Sequence, residues 1–287
     1  MRYLRFDDGG EPRIGLLQEG SARPLAARDL TEVMRGDGLD PAGEPIPLGD
    51  VHVLAPLRPG KVVAVGQNYM DHIREQGAEP PGIPVLFPKF ATCVIGPGES
   101  IRWPATLTER VDYEGELAVV IGATASRVSR ERALDVVFGY TPANDVSARD
   151  LQIGDGHWLR GKALDTFLPL GPAVVGRDEV PDPQRLPIRT RLNGETVQDS
   201  STAEMVFSVA ELIAFITEGI TLEPGDVILT GTPHGVGNFR EPPLYLKPGD
   251  TLEVEIGDLG VLTNPVGPHV DAGDHAAVPA YAATTKE

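Results

Sequence analysis

The sequence predicts a mixed α+β fold in which β-strands predominate. Short apolar runs with two-residue alternation outnumber stretches with helical periodicity. The 287 residues include 27 prolines and 33 glycines, which predict many turns between short elements. Two Pro-Gly-Asp turns, at 224–226 and 248–250, each precede a strand-like run. We therefore expect a β-rich main domain over residues 61–267, a small β-rich N-terminal subdomain over residues 1–60, and a flexible tail over residues 268–287.

Composition narrows the possible partners of the protein. The 25 Lys and Arg residues against 42 Asp and Glu residues give a net charge of −17, which argues against a nucleic-acid or anionic-membrane surface. No stretch approaches the ~18 apolar residues of a membrane span, and the N-terminus lacks the apolar core of a signal peptide. A single cysteine, Cys93, excludes an intrachain disulfide. We expect a cytoplasmic protein.

The N-terminal region is expected to contain two short strands and one short helix. The strands should run from Arg2 to Phe6 and from Ile14 to Leu17, with an Asp-Asp-Gly-Gly turn between them. The helix is expected near residues 30–34, within a segment rich in Gly, Pro and acidic residues. The Pro- and Gly-containing segment at 56–60 is the expected boundary with the main domain.

The next segment combines a buried strand with a polar helical turn. Residues 61–66 predict the strand, and a helical turn should begin at about Tyr69. Such a turn places His72 and Glu75 three residues apart on one face. The pair fits a surface helix with an ordinary side-chain contact or a mobile loop over a site, and the segment alone favours the surface helix.

The most informative stretch of the chain runs from Val111 to Ile121. Its alternation and its aliphatic second half predict one continuous β-strand. Because residues two apart in a strand share a face, Glu114 and Glu116 should lie side by side with Ala118 and Val120. Two carboxylates this close repel each other unless a proton or a cation lies between them. They fit ligands of one hard divalent cation, or else the end of the strand emerges into water.

Further polar groups follow this strand. Residues 138–152 begin as a strand and end in a loop that contains Asn, two Asp, Ser, Arg and Gln, and loops of this kind often carry function. Lys162 lies in a Gly-rich segment and, taken alone, is typical of a surface lysine. Ser129 is expected to cap a short helix that continues to about Val137. A Gly-rich loop at 230–237 follows a strand expected at 227–230.

Two local signals in the second half have a specific structural meaning. Asn193-Gly194 between two alternating runs predicts a β-hairpin. Ser208 and Glu211 form a capping-box pattern, which predicts an amphipathic helix that ends near Gly219.

Several of these segments, in this order, resemble the fumarylacetoacetate hydrolase family over about residues 60–267. The motifs that carry the resemblance are Val65-Gly66-Gln67-Asn68-Tyr69 with His72, Pro84-Val85-Leu86-Phe87, Asp112-Tyr113-Glu114-Gly115-Glu116, Asn144-Asp145-Val146-Ser147-Ala148-Arg149-Asp150-Leu151-Gln152, Gly161-Lys162 and Leu229-Thr230-Gly231-Thr232-Pro233. Together they are specific for the family, although not for one reaction. The resemblance implies a domain in which a rolled or barrel-like β-sheet surrounds the site, and it implies a homodimer.

The resemblance also implies which residues form the site. The implied ligands of a divalent cation, Mg²⁺ or Mn²⁺, are Glu114, Glu116 and Asp145. The implied catalytic residues are His72, Glu75 and Lys162. The implied contacts with substrate oxygens are Tyr69, Arg149, Gln152 and Thr232.

The activity that the resemblance implies is hydrolysis of a C–C bond in a small anionic β-diketo or 2-oxo acid. The cation would stabilise the enolate that forms when the bond breaks. Glu75 would orient His72 so that it deprotonates a water molecule, and Lys162 would hold oxyanion charge or protonate the leaving carbanion.

Two other activities fit the same site, namely an oxaloacetate-type decarboxylase and a hydroxymuconate-type diacid isomerase. A non-enzymatic metal-binding protein is a third reading, which the intact set of site residues disfavours.

The sequence departs from the family pattern at two positions. Cys93 is a candidate for the pocket edge or, more simply, a buried small apolar residue. His234 follows the Thr-Gly-Thr-Pro loop, where it could line the site or lie outside it.

Overall fold

The computed structural model describes residues 1–270 and confirms the β-dominated mixed fold. The predicted tail at 268–287 therefore lies, apart from its first three residues, outside the described residues. Among the described residues, no helix is both long enough and apolar enough to cross a membrane.

The regular elements of residues 1–270 are mostly short. The strands are β1 (Arg2–Asp7), β2 (Arg13–Gln18), β3 (Ser21–Pro24), β4 (Ile46–Pro47), β5 (His52–Leu54), β6 (Val62–Gly66), β7 (Val85–Lys89), β8 (Val94–Ile95), β9 (Val111–Asp112), β10 (Gly115–Ile121), β11 (Val137–Asn144), β12 (Ser147–Ala148), β13 (Leu168–Pro169), β14 (Val174–Gly176), β15 (Pro187–Leu192), β16 (Glu195–Ser201), β17 (Val227–Leu229), β18 (Thr251–Ile256) and β19 (Val261–Pro265). The α-helices are α1 (Leu30–Arg35), α2 (Met70–Glu75), α3 (Arg149–Gly154), α4 (Leu159–Lys162) and α5 (Val209–Thr217).

One large sheet joins the N-terminal strands to the centre of the molecule. Its strand order is β4-β3-β2-β1-β14-β11-β10-β17-β6-β7, and β5 also pairs with β1. The link between the N-terminal strands and the rest is the antiparallel pair β1–β14. A second, four-stranded sheet has the order β16-β15-β18-β19. The division into two domains stays a prediction, since the large sheet crosses the expected boundary.

Strand β10 is buried on both faces, which makes it the central element of the fold. Leu117, Val119 and Ile121 pack into a core shared with α5 and the four-stranded sheet. Ala118 and Val120 pack on the opposite side, against β6, β7 and β17. Deeply buried strands on both sides hold β10 in place, so the residues at its N-terminal end have a fixed position.

The N-terminal helix follows the signals in its sequence. Helix α1 matches the predicted position, and the Asp29 side chain caps it by accepting a hydrogen bond from Glu32 N. Gly36 ends the helix with a φ of 84°, a left-handed conformation that glycine adopts without steric cost.

Two predicted elements differ from the structure. The expected continuous strand over 111–121 is interrupted at residues 113–114, because the backbone of Glu114 bonds with the end of β11 instead of continuing the ladder. The segment after Ser129 is a 3₁₀-helix, Arg130–Val136, and the Ser129 side chain makes no cap hydrogen bond there. The backbone there makes the tighter bond between residues three apart, since Arg132 N donates to the Ser129 carbonyl oxygen at 3.0 Å.

Both specific signals of the second half are confirmed. The hairpin β15–β16 turns at Asn193 and Gly194, whose φ values are 54° and 83°, and positive φ at both positions is the mark of a type I′ turn. Helix α5 begins with a complete capping box between Ser208 and Glu211. In that box Ser208 N donates to Glu211 Oε2 at 2.8 Å, and Glu211 N donates to Ser208 Oγ at 3.3 Å.

The capping box gives a direct test of how α5 is stabilised. We expect Ser208→Ala to lower the free energy of unfolding by about 1 kcal/mol, because it leaves a helix N–H without an acceptor. Ser208→Thr, which keeps both the acceptor and the hydroxyl that donates to Glu211 Oε2, should lose much less. Ser129→Ala is the matched control, since Ser129 makes no cap hydrogen bond. Urea denaturation of the three variants measures the differences, and equal losses at both serines would contradict this account.

Candidate metal centre and active-site cavity

Three carboxylates converge at the ends of two paired strands. Strands β10 and β11 are antiparallel, with Gly115 opposite Asn144. Glu114 precedes Gly115 and Asp145 follows Asn144, so the two residues lie opposite each other just beyond the paired strands. Asp145 N donates to the Glu114 carbonyl oxygen at 2.8 Å. The Asn144 side chain accepts a hydrogen bond from Glu114 N at 2.9 Å. These two hydrogen bonds hold the Glu114 backbone at the end of β11, and the carboxylates of Glu114, Glu116 and Asp145 lie close together there.

The cluster has the donor set and the spacing of a divalent-cation site. One oxygen from each of Glu114, Glu116 and Asp145 lies within 4.8 Å of the others, and all three residues are buried. Burial and the carboxylates of Asp145 and Glu114 raise the pKa of Glu116 well above its usual value. The mutual repulsion of the three carboxylates favours a bound positive charge, and carboxylate oxygens are ligands that suit Mg²⁺ or Mn²⁺. The residues present therefore fit a hard divalent cation.

Lys162 is buried beside this cluster, so it is not the surface lysine that its local sequence suggests. Lys162 Nζ donates to Glu114 Oε2 at 2.7 Å and to Asp145 Oδ2 at 2.9 Å. Burial by itself lowers the pKa of Lys162, but the two carboxylates outweigh it and the pKa is raised. Lys162 therefore stays protonated at neutral pH.

Arg149 connects the cluster to a second buried carboxylate. Arg149 Nη1 lies 2.6 Å from Glu114 Oε1, and Arg149 Nε donates to Asp112 Oδ2 at 2.8 Å. Burial opposes the charge of Glu114, yet Lys162 and Arg149 hold its pKa well below the usual value. Glu114 is therefore ionised throughout the neutral range.

Lys89 belongs to the site, although sequence reasoning gave it no role. Its Nζ donates to Asp145 Oδ1 at 2.5 Å and also bonds to the Lys162 carbonyl oxygen. The residue is 2% exposed at the end of β7. A fully buried lysine needs a carboxylate partner. The apolar residues next to Lys89 in the sequence indicate that its strand is buried, but they do not indicate which carboxylate pairs with it.

His72 and Glu75 form an oriented pair on α2, in which His72 is buried and Glu75 is half-buried, so the pair is not the surface contact that the segment alone favoured. His72 Nδ1 lies 2.8 Å from Glu75 Oε2, and Gly235 N donates to Glu75 Oε1 at 2.8 Å. In the neutral tautomer whose Nδ1 carries the proton and donates a hydrogen bond to Glu75, the other ring nitrogen, Nε2, carries a lone pair. Gln76 Nε2 lies 2.7 Å from that nitrogen, His72 Nε2.

A cavity of about 180 Å³ opens in front of these groups. The predicted site residues that line it are His72, Glu114, Arg149, Gln152, Lys162 and Thr232. Other lining residues that sequence reasoning did not assign include Gln67, Gln76, Phe87, Trp158, Asn238 and Phe239. A cavity of this size is smaller than the ~300–1,000 Å³ of sites for drug-sized ligands, so it suits a small acid.

The remaining predicted residues lie behind the cavity wall or away from it. Tyr69 is fully buried outside the lining, and burial and the nearby Glu116 raise its pKa well above the usual value. Its contact with substrate stays a prediction. Cys93 is buried in the core, as the simpler reading expected. His234 is not among the lining residues, and its Nδ1 lies 2.9 Å from Asp71 Oδ2.

The fold and this cluster define a class of β-dominated proteins built around a buried acidic cluster that fits a metal ion, and the sequence matches identify the family. The family described as Fumarylacetoacetate (FAA) hydrolase C-terminal matches residues 61–267. A second family, described as Rv2993c-like, N-terminal, matches residues 1–56. The chain therefore belongs to the fumarylacetoacetate hydrolase family.

Similar proteins carry several activities in their names. Oxaloacetate tautomerase fahd2, mitochondrial, of Xenopus laevis is 43% identical over an alignment of 288 positions. The alignment covers 93% of this chain and 90% of that protein. The structure of a fumarylacetoacetate hydrolase from Exiguobacterium antarcticum has a TM-score of 0.85 and 42% identity, covering 93% of this chain and 99% of that one. The 2-hydroxyhepta-2,4-diene-1,7-dioate isomerase of Mycobacterium marinum has a TM-score of 0.81 and 38% identity, covering 95% and 100%.

The raised pKa of Glu116 predicts how stability depends on pH. In the metal-free protein, the folded chain holds the Glu116 proton to a higher pH than the unfolded chain does. The folded state binds more protons, so the free energy of unfolding should fall as pH rises above the usual glutamate pKa. Mg²⁺ bound at this cluster would take the place of the proton, so saturating Mg²⁺ should remove this fall. Denaturation between about pH 5 and about pH 8, with and without Mg²⁺, measures it.

Glu116→Gln tests the assignment of this pH dependence. The variant cannot ionise at this position, so its metal-free stability should lack the fall, whereas Glu109→Gln at an exposed position should keep it. Parallel profiles of wild type and Glu116→Gln would show that another group is responsible.

Proposed function

We propose that this protein is a divalent-metal-dependent isomerase of small 2-oxo dicarboxylic acids, with a keto–enol tautomerase of the oxaloacetate type as the specific activity. The main support is the position of His72, which is oriented by Glu75 and faces the same small cavity as Glu114 and Lys162. A base held next to a cation site suits removal of a proton from carbon adjacent to a carbonyl. The names of the Xenopus and Mycobacterium relatives also fit a proton shift.

The proposed reaction moves one proton between C3 and the oxygen on C2. A divalent cation on Glu114, Glu116 and Asp145 would supply Lewis acidity to the 2-oxo group. His72 Nε2 accepts the proton from C3, and the electrons of the broken C–H bond form the C2–C3 double bond. The carbonyl oxygen then takes a proton from solvent, and His72 releases its own.

Three neighbouring residues adjust this proton transfer. Glu75 keeps the Nδ1 proton of His72 in place and stabilises the imidazolium. Lys162 stays charged and stabilises the negative charge that develops on the oxygen. Gln76 Nε2 lies 2.7 Å from His72 Nε2, so this amide has to turn away before that nitrogen accepts the proton.

The dienedioate isomerase is the second candidate within the same class. It moves a proton along an unsaturated diacid, and the 38% identical Mycobacterium marinum structure favours it. The C–C hydrolysis expected from the sequence needs an additional water molecule beside His72 and stays a prediction. A cytoplasmic homodimer, and the choice between Mg²⁺ and Mn²⁺, likewise remain proposals.

Replacement of the base tests the proposed chemistry. We expect His72→Asn to slow enol-to-keto conversion of oxaloacetate, in which His72 returns the proton to C3, by about 10²- to 10⁴-fold, the usual contribution of general acid–base catalysis. The loss of enol absorbance in the ultraviolet measures the rate. His52→Asn, at an exposed histidine on β5, is the control and should retain wild-type rates. A wild-type rate in His72→Asn would remove this residue from catalysis.

The products distinguish the competing reactions. Wild-type enzyme should convert the enol without raising the release of pyruvate from oxaloacetate above the rate of the enzyme-free, metal-matched control, and without cleavage of an acylpyruvate. Release of pyruvate above that control would indicate the decarboxylase instead, and cleavage of the acylpyruvate would indicate the hydrolase.

Removal of the cation gives an independent test of the site. Treatment with a chelator should abolish tautomerisation, and added Mg²⁺ or Mn²⁺ should restore it. Glu114→Gln should weaken the metal-induced rise in melting temperature, because it removes one charged ligand, whereas Glu109→Gln should not. Full activity in the chelated wild type would exclude metal-dependent catalysis.

A further inference from the structure

Two carboxamide side chains of the cavity wall have their oxygens already occupied. The Tyr245 hydroxyl donates to Asn238 Oδ1 at 2.9 Å. Arg149 Nη1 donates to Gln152 Oε1 at 3.0 Å. Each of these bonds fixes the orientation of an amide, since the oxygen must face its donor. Among residues 1–270, neither amide NH₂ group has a protein acceptor, and both side chains line the cavity.

One buried carboxylate connects these two amides. Asp112 Oδ2 accepts hydrogen bonds from Asn238 N at 3.0 Å and from Arg149 Nε at 2.8 Å. Asp112 Oδ1 accepts one from Gly237 N at 2.7 Å. Asn238 and the arginine that holds Gln152 are therefore anchored to the same residue. The charge of Asp112 is compensated by these donors, so it opposes an anion in the cavity only weakly.

Donor groups without neighbouring acceptors select a ligand group that only accepts. A carboxylate is such a group, with two oxygens that can accept from both amides. The cations near the cavity are less available, because Lys162 and Arg149 already pair with Glu114, Asp145 and Asp112. A second carboxylate of the substrate would therefore be bound by uncharged hydrogen-bond donors.

We propose that Asn238 and Gln152 bind the substrate carboxylate that is remote from the cation, and that Tyr245 is a positioning residue that turns the Asn238 NH₂ group into the cavity. Asn238 then determines the preference for dicarboxylic over monocarboxylic acids. This inference rests on the proposed function for the identity of the substrate class. It adds Asn238 and Tyr245 to the site, and neither was expected from the sequence.

The test compares two unreactive acids that differ in the second carboxylate. Malate and lactate are titrated calorimetrically into the Mg²⁺-loaded protein. We expect wild type to bind malate more tightly. Asn238→Leu, a near-isosteric change, should weaken malate binding by about 10- to 100-fold, the range of a hydrogen bond to a charged group. Its lactate binding should change by less than about 2-fold, within the variation of sites that make no contact.

Tyr245→Phe tests positioning separately from contact. The variant keeps the Asn238 amide but frees its orientation, so malate binding should weaken less than in Asn238→Leu, by about 2- to 10-fold, while lactate binding is unchanged. A purely structural role for Tyr245 would instead weaken both acids equally. Gln18→Leu, at an exposed carboxamide on β2, is the matched control and should keep wild-type affinities.

The outcomes separate this inference from the proposed function. A wild type without preference for malate, or an Asn238→Leu variant with the wild-type preference, overturns the inference even when tautomerisation is observed. If Asn238→Leu does not fold, Tyr245→Phe decides by the same comparison. Selective malate binding that is lost in the variants, in a protein with no tautomerase activity, supports the inference and overturns only the proposed reaction.

Discussion

The structure depends on keeping three carboxylates within a few ångströms of each other in a buried place. Two unit charges 4 Å apart repel by about 4 kcal/mol at an effective dielectric constant of about 20, so Glu114, Glu116 and Asp145 need compensation. The chain supplies part of it through the buried ammonium groups of Lys89 and Lys162. Another part is the hydrogen bond from Gly231 N to Glu116 Oε2, at 2.8 Å. The raised pKa of Glu116 indicates that this compensation is incomplete, and a divalent cation bound to the three carboxylates would complete it.

The fold can hold such a cluster because the elements that carry it cannot move apart. Strand β10 is buried on both faces, and the antiparallel ladder to β11 fixes Asp145 beside Glu114. Gly115, between the two glutamates, lies so close to Thr190 of the second sheet that a Cβ atom would overlap its hydroxyl group. The two sheets therefore meet at the acidic cluster. Buried strands position its carboxylates, and the short helix α2 carries the proposed base.

Periodicity and turn residues predicted most of the local elements and the proximity of two of the three clustered carboxylates. The alternation of Glu114 and Glu116 indicated a shared face, and the capping box and the Asn-Gly turn located α5 and the β15–β16 hairpin. The interruption at Glu114 was missed, because it depends on the Asn144 side chain, 30 residues away. Lys89 was missed for the same reason, since its partner Asp145 lies 56 residues further on. Local pattern shows that a residue is buried, but not which distant charge requires it.

The contrast between local pattern and distant contacts also explains why the family's chemistry is easier to infer than the substrate of one member. In the proposed reaction, the cation ligands and the His72–Glu75 pair would promote enolisation of any 2-oxo acid that reaches them, so they do not by themselves separate tautomerisation, isomerisation, decarboxylation and hydrolysis. The choice depends on what the rest of the substrate meets. Here that wall is built by α3 and by the loop after Thr232, through Gln152 and Asn238. Arg149 and Tyr245 orient these amides. If the amides bind the remote carboxylate as proposed, specificity would be set by residues that need never touch the reacting atoms, and a change there would alter the substrate while leaving the chemistry intact.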